Sequence, residues 1–290
     1  MSGAAMAKMF ARELLARQVQ PRQLPPSTLL GDTGVLAAMR EGGQIDGRTA
    51  AGYLYHSARI CQVLQGRPHC WDLGCGSGVQ LLQVAALNPA IHFTGVDRSA
   101  CLLAQAAADA DRLGLGNVAW RQDDITTLNT VPNDSVAAVI CTMALHDLPD
   151  VAALARTLQS IARVSTPHAA LYIEDFCRLK CAESIKFFLQ LNAPPTPDAF
   201  SALYRASLAA AFTRPELSAA VGRALPNATC HTTFLVPFLL VAHSPTQPLP
   251  HAQKLALQTL RAALPPSARR DLEELQKFFA LGGFGGKLFD

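Results

Sequence analysis

The sequence predicts an α/β protein whose core is a seven-stranded, mostly parallel β-sheet with an antiparallel C-terminal hairpin. Between residues 66 and 176 of the 290-residue chain, short apolar runs alternate with Ala- and Leu-rich segments. Such alternation is typical of a parallel sheet with right-handed helical crossovers, because strands buried on both faces read as unbroken apolar runs. Two further apolar runs close to residue 240 follow a helical stretch, and they predict the hairpin that completes the sheet.

Five strands and three helices are predicted in the alternating region. The strands are expected at 69–73, 92–96, 118–122, 136–141 and 170–174, and the helices at 78–87, 99–113 and 150–164. The two runs of the hairpin cover 229–236 and 237–243, and Pro237 between them indicates a tight reversal of the chain.

Helical segments are predicted to surround this core. We divide the chain into an N-terminal helical cap at 1–65, the core at 66–176, a helical lid insertion at 177–228, the hairpin at 229–244 and C-terminal helices at 245–290. A Pro-rich turn at 193–197 marks a hinge in the lid. The aromatic and Leu residues of the lid are typical of core packing, but they also suit the lining of a small-molecule pocket.

Charge and hydropathy argue against several classes of protein. The chain has 25 Lys and Arg residues against 22 Asp and Glu, a formal net charge of +3, and the basic residues are dispersed. Proteins that bind nucleic acid through its phosphates usually concentrate Lys and Arg on one face, so no nucleic-acid partner is expected. No apolar run approaches the roughly 20 residues that span a bilayer.

The eight cysteines are irregularly spaced and form no Cys-X-X-Cys pair. Scattered cysteines in a chain without a signal-peptide pattern indicate a reduced, cytoplasmic protein, and we expect no metal site. The first 22 residues carry four basic side chains against Glu13, which faintly resembles a targeting segment. We favour the interpretation of this stretch as a helix of the N-terminal cap.

The most informative stretch is a glycine loop at 72–78, Asp-Leu-Gly-Cys-Gly-Ser-Gly, between a predicted strand and a predicted helix. Glycines there permit a tight turn and a close approach to a ligand, and the helix N-terminus favours an anion. A dinucleotide-binding fingerprint would need glycine at the sixth position counted from Gly74, where Val79 stands instead.

Acidic residues follow the next two strands. Asp97 ends the second strand, and Asp123 and Asp124 end the third. An acid at these points can accept hydrogen bonds from the ribose and from the adenine of a nucleoside. Each could instead cap the following helix, in competition with Ser99 and Thr126. The carboxyl ends of parallel strands meet at one crevice, where open α/β sheets bind ligands.

The loop, these acids and the segment 145–147 together resemble the class I S-adenosylmethionine-dependent methyltransferases, which have a Rossmann-like fold. Within them, the small-molecule branch that includes ubiquinone- and menaquinone-biosynthesis enzymes is most similar. The resemblance implies S-adenosylmethionine as cofactor, with Asp72, Gly74 and Gly76 at its methionine end, Asp97 at the ribose, Asp124 and Ile125 at the adenine, and Met143 beneath the methyl group. The remaining cofactor-binding residues that it implies are Cys75, Arg98, Asp123 and Thr142.

Three residues are candidates for chemistry on the acceptor. His146 suits a general base because imidazole titrates near neutrality, and Asp147 lies beside it in the sequence. Glu174, at the end of the fifth strand, could take a proton or bind a cationic acceptor. Each of the three could equally pack, cap a helix or orient a loop. Further candidates from the flanking helices are Tyr53, Tyr55, His56, Arg178, Tyr204 and Arg205.

The sequence therefore predicts a methyltransferase acting on a small-molecule acceptor. Two alternatives stay open: an enzyme that cyclises or cleaves S-adenosylmethionine, and a non-catalytic cofactor-binding scaffold. The last helix carries an apolar face that could form a homodimer contact, although packing on the chain's own core is favoured. The residues of that face are Leu272, Leu275, Phe278 and Phe279.

Overall fold

The computed structural model describes residues 3–25, 47–190, 199–286 and 288–289, together with Gly34, Ala37 and Glu41. The strands are β1 (His69–Leu73), β2 (His92–Asp97), β3 (Val118–Gln122), β4 (Val136–Thr142), β5 (Ser165–Phe176), β6 (Thr229–Thr232) and β7 (Leu239–His243). The helices are α1 (Gly3–Leu15), α2 (Ala50–Val63), α3 (Val79–Leu87), α4 (Ala100–Arg112), α5 (Val151–Val164), α6 (Ala182–Gln190), α7 (Ala199–Ala210), α8 (Arg214–Ala224), α9 (His251–Ala263) and α10 (Pro266–Leu281), with a 3₁₀ turn at Leu145–Asp147.

The seven strands form one sheet in the order β3-β2-β1-β4-β5-β7-β6. Strands β1 to β5 run parallel, whereas β7 is antiparallel to both β5 and β6. The predicted seven-stranded sheet with its antiparallel hairpin is thus confirmed. The strand order changes direction between β1 and β4, and open α/β sheets bind ligands at the carboxyl ends of the strands at such a point.

An apolar layer covers each face of the sheet. On one face, α2, α3, α9 and α10 pack around side chains such as Tyr55 and Phe279, whose rings stack with centroids 5.0 Å apart. On the other face, α5 and α8 bury residues that include Leu158 and Val221. Since Leu272 and Phe279 are fully buried, the apolar face of the last helix packs on the chain itself. The homodimer contact stays a prediction.

Strand β5 starts at Ser165, earlier than the predicted 170. Ser165 pairs with Val136, and the register then shifts so that Ala170 pairs with Ala138. The intervening residues 166–168 are polar or proline, so an apolar pattern does not show this part of the strand.

The tight reversal expected at Pro237 is wrong. Strand β6 ends at Thr232 and β7 begins at Leu239, so the connection is a six-residue loop over 233–238. The Thr233 hydroxyl organises it, because Oγ1 donates to the carbonyl of Val236 and accepts from the amide of Phe238, both at 2.8 Å. The Thr233 side chain, rather than a tight turn at Pro237, therefore shapes the reversal of the chain.

Two side chains tie the N-terminal segment to the core. The carboxylate of Glu13 accepts the backbone N–H groups of Lys180 at 3.0 Å and Cys181 at 2.9 Å, just before α6. The guanidinium of Arg22 donates to the carbonyls of His146 and Leu148 beside the 3₁₀ turn. Residues 3–15 are thus helical and held against the core, while the division into a cap and a lid stays a prediction. The expected hinge at 193–197 lies outside the described residues. None of the described helices is long and apolar enough to cross a membrane.

Candidate functional site

A cavity of about 380 Å³ lies at the carboxyl ends of β1, β4 and β5. The glycine loop and the strand ends form its floor, and α1, α2, α6, α7, α10 and the β6–β7 loop form its walls and roof. Its lining is rich in aromatic rings, among them Phe10, Phe176, Phe188, Phe200, Phe238 and Phe278. A mostly apolar cavity with a few polar groups is typical of a small-molecule site.

The glycine loop depends on its glycines for a geometric reason. Gly74, Gly76 and Gly78 all have positive φ angles, 75°, 54° and 76°, which favour glycine. A Cβ atom on Gly74 would lie 2.5 Å from Cβ of Ala144, so even a methyl group does not fit there. The loop after β1 thus packs directly on the segment after β4.

Asp72, the acid of the loop, is buried at the end of β1. The residue is 1% exposed, and its Oδ1 atom has no hydrogen-bond partner in the described part of the chain. Burial, and to a smaller extent repulsion from Asp97, raises the pKa of Asp72 to about 8. Because a buried polar atom without a partner is costly, Asp72 is well suited to receive a donor group of a ligand.

Asp97 holds the glycine loop in place. Its Oδ2 atom accepts the amide of Gly76 and its Oδ1 atom accepts the amide of Ser99, both at 2.9 Å. The cap of α4 is Ser99, whose hydroxyl accepts the amide of Leu102. Asp97 is therefore not the helix cap, and its role at a ribose stays a prediction.

The acids after β3 organise a local turn. The Oδ1 atom of Asp124 accepts the amide of Thr126 at 2.8 Å, and Asp123 accepts the amide of Asp124 and the hydroxyl of Thr130. Ile125 comes within 3.7 Å of the Cβ position of Gly74, so this turn borders the glycine loop.

Two residues at the end of β4 line the cavity, Thr142 and Met143. Met143 has a φ of 52°, which is uncommon for a residue with a long side chain. Its amide donates to the carbonyl of Glu174 at 2.9 Å, which holds this conformation against β5. Strained backbone of this kind clusters at functional sites.

His146 forms a buried ion pair rather than facing the cavity. Its Nδ1 atom lies 2.7 Å from Oδ1 of Asp175, and its backbone amide donates to Oδ2 of the same carboxylate. Burial lowers the pKa of His146, but Asp175 outweighs this effect and raises the pKa to about 9. The imidazole is therefore protonated near neutral pH, which is the wrong state for a general base.

Glu174 lies on the face of β5 opposite to its neighbour Asp175, because successive side chains alternate along a strand. Its Oε1 atom lies 3.5 Å from Nε2 of His56, and Nδ1 of His56 lies 2.7 Å from the hydroxyl of Tyr172. Burial, followed by repulsion from Asp175, raises the pKa of Glu174 well above its usual range. Burial, followed by repulsion from Arg59, lowers the pKa of His56 to about 3. Burial therefore disfavours the charged form of both groups.

The cavity brings together part of the predicted site. The predicted residues that line it are Asp72, Gly74, Cys75, Gly76, Thr142, Met143 and Glu174. The predicted residues outside its lining are Asp97, Arg98, Asp123, Asp124, Ile125, His146 and Asp147. Sequence reasoning missed Gln80 and the contribution of α10, because only the folded chain places the last helix beside the strand ends.

Residues 68–201 match the family model of a methyltransferase domain. This segment runs from just before β1 into α7, and it contains the glycine loop and the ends of β4 and β5. Residues 68–201 are a methyltransferase domain. The predictions of a methyltransferase and of S-adenosylmethionine as its methyl donor are thereby confirmed for this domain, whereas the likeness to ubiquinone- and menaquinone-biosynthesis enzymes is not.

Two curated relatives align with less than half of the chain. A methyltransferase of Aspergillus campestris is 31% identical over 110 residues, which are 37% of this chain and 32% of that protein. A ribosomal RNA large subunit methyltransferase G of Pseudomonas savastanoi pv. phaseolicola is 32% identical over 122 residues, 42% of this chain and 30% of that protein. The chain thus spans about a third of the length of these relatives. Because the second relative is named as a ribosomal RNA methyltransferase, the expectation of no nucleic-acid partner is not supported.

A solved structure supports the fold. That of a possible exported protein from Bordetella parapertussis superposes with a TM-score of 0.50 at 15% sequence identity, and the match covers 68% of each chain. At this identity the similarity concerns the fold alone.

Proposed function

We propose that the chain transfers the methyl group of S-adenosylmethionine to a small, largely apolar acceptor held in the cavity. One observation carries this proposal: a single cavity joins the glycine loop and the strand ends to a chamber of aromatic side chains. The first part suits the cofactor, and the second suits an organic acceptor.

The residues at the strand ends fit the cofactor. The unpartnered carboxyl of Asp72 can accept a hydrogen bond from the ammonium group of the methionine part. The missing Cβ of Gly74 keeps the loop close to β4 and leaves its backbone open to a ligand. Asp97 and Asp124 would hold the ribose and the adenine. When bound, S-adenosylmethionine supplies an activated methyl group, because its sulfonium leaves as a neutral thioether.

The acceptor side offers a preformed aromatic wall. The rings of Phe188 and Phe238 stack with centroids 3.9 Å apart, and Phe176 lies 5.4 Å from Phe238. A flat or otherwise apolar acceptor would pack on these rings and displace water from the site. Holding two reactants in the right orientation can supply roughly 7–11 kcal/mol of a barrier.

Nucleic acid is the second candidate acceptor, since one relative is named as a ribosomal RNA methyltransferase. The charge of the cavity disfavours it. Four carboxyl residues line the cavity, Asp72, Glu174, Asp271 and Glu274, against one basic residue, Arg48. Phosphate groups at this site would meet the acidic side chains of Asp271 and Glu274 instead of the basic surface that nucleic-acid binding needs.

Methyl-labelled S-adenosylmethionine tests the proposal. The purified chain is incubated with the label and, separately, with a panel of phenols and other small aromatic hydroxy compounds, with unmodified ribosomal RNA and with unmodified transfer RNA. We expect label in the small-molecule fraction and none in RNA. Label in RNA would overturn the acceptor class, and methylthioadenosine formed without any acceptor would show that the cofactor is cleaved instead.

A further inference from the structure

Glu174 places a carboxyl group without a hydrogen-bond partner in the floor of an apolar cavity. The residue is 1% exposed and lines the cavity, and its Oε1 atom has no hydrogen bond within the described chain. The facing Nε2 atom of His56, 3.5 Å away, has none either. Two buried polar atoms that face each other without bonding are costly. Such an arrangement needs an explanation, and a role in binding or catalysis is one.

The surroundings of Glu174 compensate little of the charge that its carboxylate would carry. Titratable groups act on it electrostatically from α2, α7, the 3₁₀ turn, the neighbouring strand β4 and its own strand. These groups are Tyr53 and His56 on α2, Tyr204 on α7, His146 in the 3₁₀ turn, Cys141 on β4, and Tyr172 and Asp175 on β5. The imidazolium of His146 already pairs with Asp175, and His56 is uncharged near neutral pH. Burial and the lack of a free counter-charge therefore favour the protonated form of the Glu174 carboxyl in the free protein.

We propose that Glu174 accepts the proton of an acceptor substrate that carries a hydroxyl or N–H group, and that the positive charge of bound S-adenosylmethionine ionises its carboxyl. This inference rests on the proposed function, because the cofactor brings the charge. A cation nearby favours the ionised form of a carboxyl, and the low dielectric of a closed cavity strengthens that attraction. S-adenosylhomocysteine lacks the sulfonium charge, so it ionises the carboxyl less.

The transfer then balances without another reactant. Cofactor binding releases the carboxyl proton of Glu174 to solvent. A lone pair on the acceptor's oxygen or nitrogen forms the new bond to the methyl carbon, the electron pair of the broken S–CH₃ bond stays on sulfur, and the acceptor's proton passes to Glu174. The carboxyl is thus protonated again, and the next cofactor molecule releases that proton. The acceptor class is accordingly hydroxyl or N–H compounds.

His56 and Tyr172 are positioning residues for this carboxyl. Tyr172 and Glu174 are two residues apart on β5, so their side chains lie on the same face of the sheet. Burial raises the pKa of Tyr172, so its hydroxyl keeps its proton and can donate it to Nδ1 of His56. The imidazole then carries its proton on Nε2, from which it can donate to the ionised carboxylate of Glu174.

Calorimetry tests the inference without any acceptor. Titrations with S-adenosylmethionine and with S-adenosylhomocysteine at about pH 6.5, in three buffers of different ionisation enthalpy, give the protons released per ligand bound. The wild-type protein should release more protons with S-adenosylmethionine than with S-adenosylhomocysteine. In Glu174→Gln that difference should disappear. An equal difference in the variant and the wild type, or no difference in the wild type, would overturn the role of Glu174.

Glu274→Gln is the matched control, because Glu274 lines the same cavity but its side chain is exposed to water. It should keep the wild-type difference. If Glu174→Gln does not fold, Asp72→Asn decides between the two buried carboxyl groups of the cavity. The difference should persist in this variant, and its disappearance would assign the proton to Asp72 and overturn the role of Glu174. His56→Phe should reduce the difference while still binding S-adenosylhomocysteine, and an unchanged difference would remove His56 from the arrangement. No heat with either ligand would overturn the proposed function itself, whereas binding without the proton difference overturns the inference alone.

Discussion

The Nδ1 atom of His146 lies 2.7 Å from Oδ1 of Asp175, and this buried pair locks the 3₁₀ turn after β4 to the end of β5. Asp175→Asn should destabilise the fold by about 2–4 kcal/mol near neutral pH, because it leaves the buried imidazole without its counter-charge. The folded-state pKa of about 9 lies above the unfolded value. The stabilisation is therefore complete below about pH 6.5 and is lost as the pH rises through the folded value.

Urea unfolding of wild type and Asp175→Asn across this pH range measures the effect. The difference in unfolding free energy should shrink as the solution becomes alkaline. Asp147→Asn is the control, since Asp147 lies 3.9 Å from Nε2 of the same imidazole and is partly exposed. It should change stability by less than about 1 kcal/mol. A difference for Asp175→Asn that is independent of pH would mean that Asp175 does not keep His146 protonated.

Asp72 should show opposite effects on stability and on binding. Its pKa is raised to about 8 in the folded chain, so the stabilisation linked to its proton is complete below about pH 4 and is lost as the pH rises through the folded value. Asp72→Asn removes that loss and should be more stable than wild type by a few kcal/mol at about pH 8. It should also bind S-adenosylmethionine more weakly by about 1.5–3 kcal/mol, because a charged hydrogen bond is lost.

Unfolding at about pH 5 and pH 8, with calorimetric titration of the cofactor, separates the two effects of Asp72→Asn. Weaker binding without a gain in stability at the higher pH would show that the buried carboxyl has a partner in solution. Unchanged binding would remove Asp72 from the cofactor site.

The strands were predictable because their burial leaves a direct trace in the sequence. Apolar runs place β1 and β3 at their observed bounds, whereas the polar start of β5 at Ser165 escaped the pattern. The glycine loop was recognisable because its conformation needs particular residues at particular positions. The path of the loop could not be predicted from the sequence. The structure shows that Asp97 accepts the amide of Gly76 and that Ser99 caps α4.

The pairings at the site could not be derived from local patterns. His56 and Tyr172 are 116 residues apart, and they meet because α2 packs across β5. Consecutive acids at a strand end project to opposite faces, so Glu174 enters the cavity and Asp175 pairs with His146. Alternation predicts that the two acids separate, but the partner of each depends on which helix or turn covers that face.

Gly74→Ala tests the packing of the glycine loop on β4. The new methyl group would lie 2.5 Å from Cβ of Ala144, in addition to the strain of a φ of 75°. Gly76→Ala is the matched control, because Gly76 has a φ of 54° but no atom within 4 Å of its Cβ position. Gly76→Ala should cost about 1–2 kcal/mol from backbone strain, and Gly74→Ala a further 1–3 kcal/mol, roughly, from overpacking.

The double variant Gly74→Ala with Ala144→Gly completes this test by removing the atom that the new methyl group meets. Unfolding free energies and affinity for S-adenosylhomocysteine should both recover in part relative to Gly74→Ala. Equal costs for Gly74→Ala and Gly76→Ala, with no recovery, would show that the loop moves away from β4 in solution.

Helix α1, which covers part of the cavity, should become more mobile when the hydrogen bonds of Glu13 are removed. Met9 and Phe10 of α1 line the cavity, and the same helix presents Glu13 to the amides of Lys180 and Cys181. Glu13→Ala leaves these amides without an acceptor and should weaken the contact between α1 and α6 by about 1–2 kcal/mol. Hydrogen exchange in α1 and in the first turn of α6 should become about 5- to 30-fold faster, while β1 and β4 stay protected.

Glu183→Ala controls for the loss of an acid near this helix terminus, because Glu183 lies in the first turn of α6 but is exposed. It should leave exchange in α1 unchanged. Binding of S-adenosylhomocysteine together with a phenolic acceptor should slow exchange in α1 and α6 of the wild type, since the bound molecules fill the space that the roof encloses. If exchange in both helices is unchanged by Glu13→Ala and by the ligands, α1 and α6 are a fixed part of the cavity lining. The acceptor would then have to enter through another part of the cavity wall.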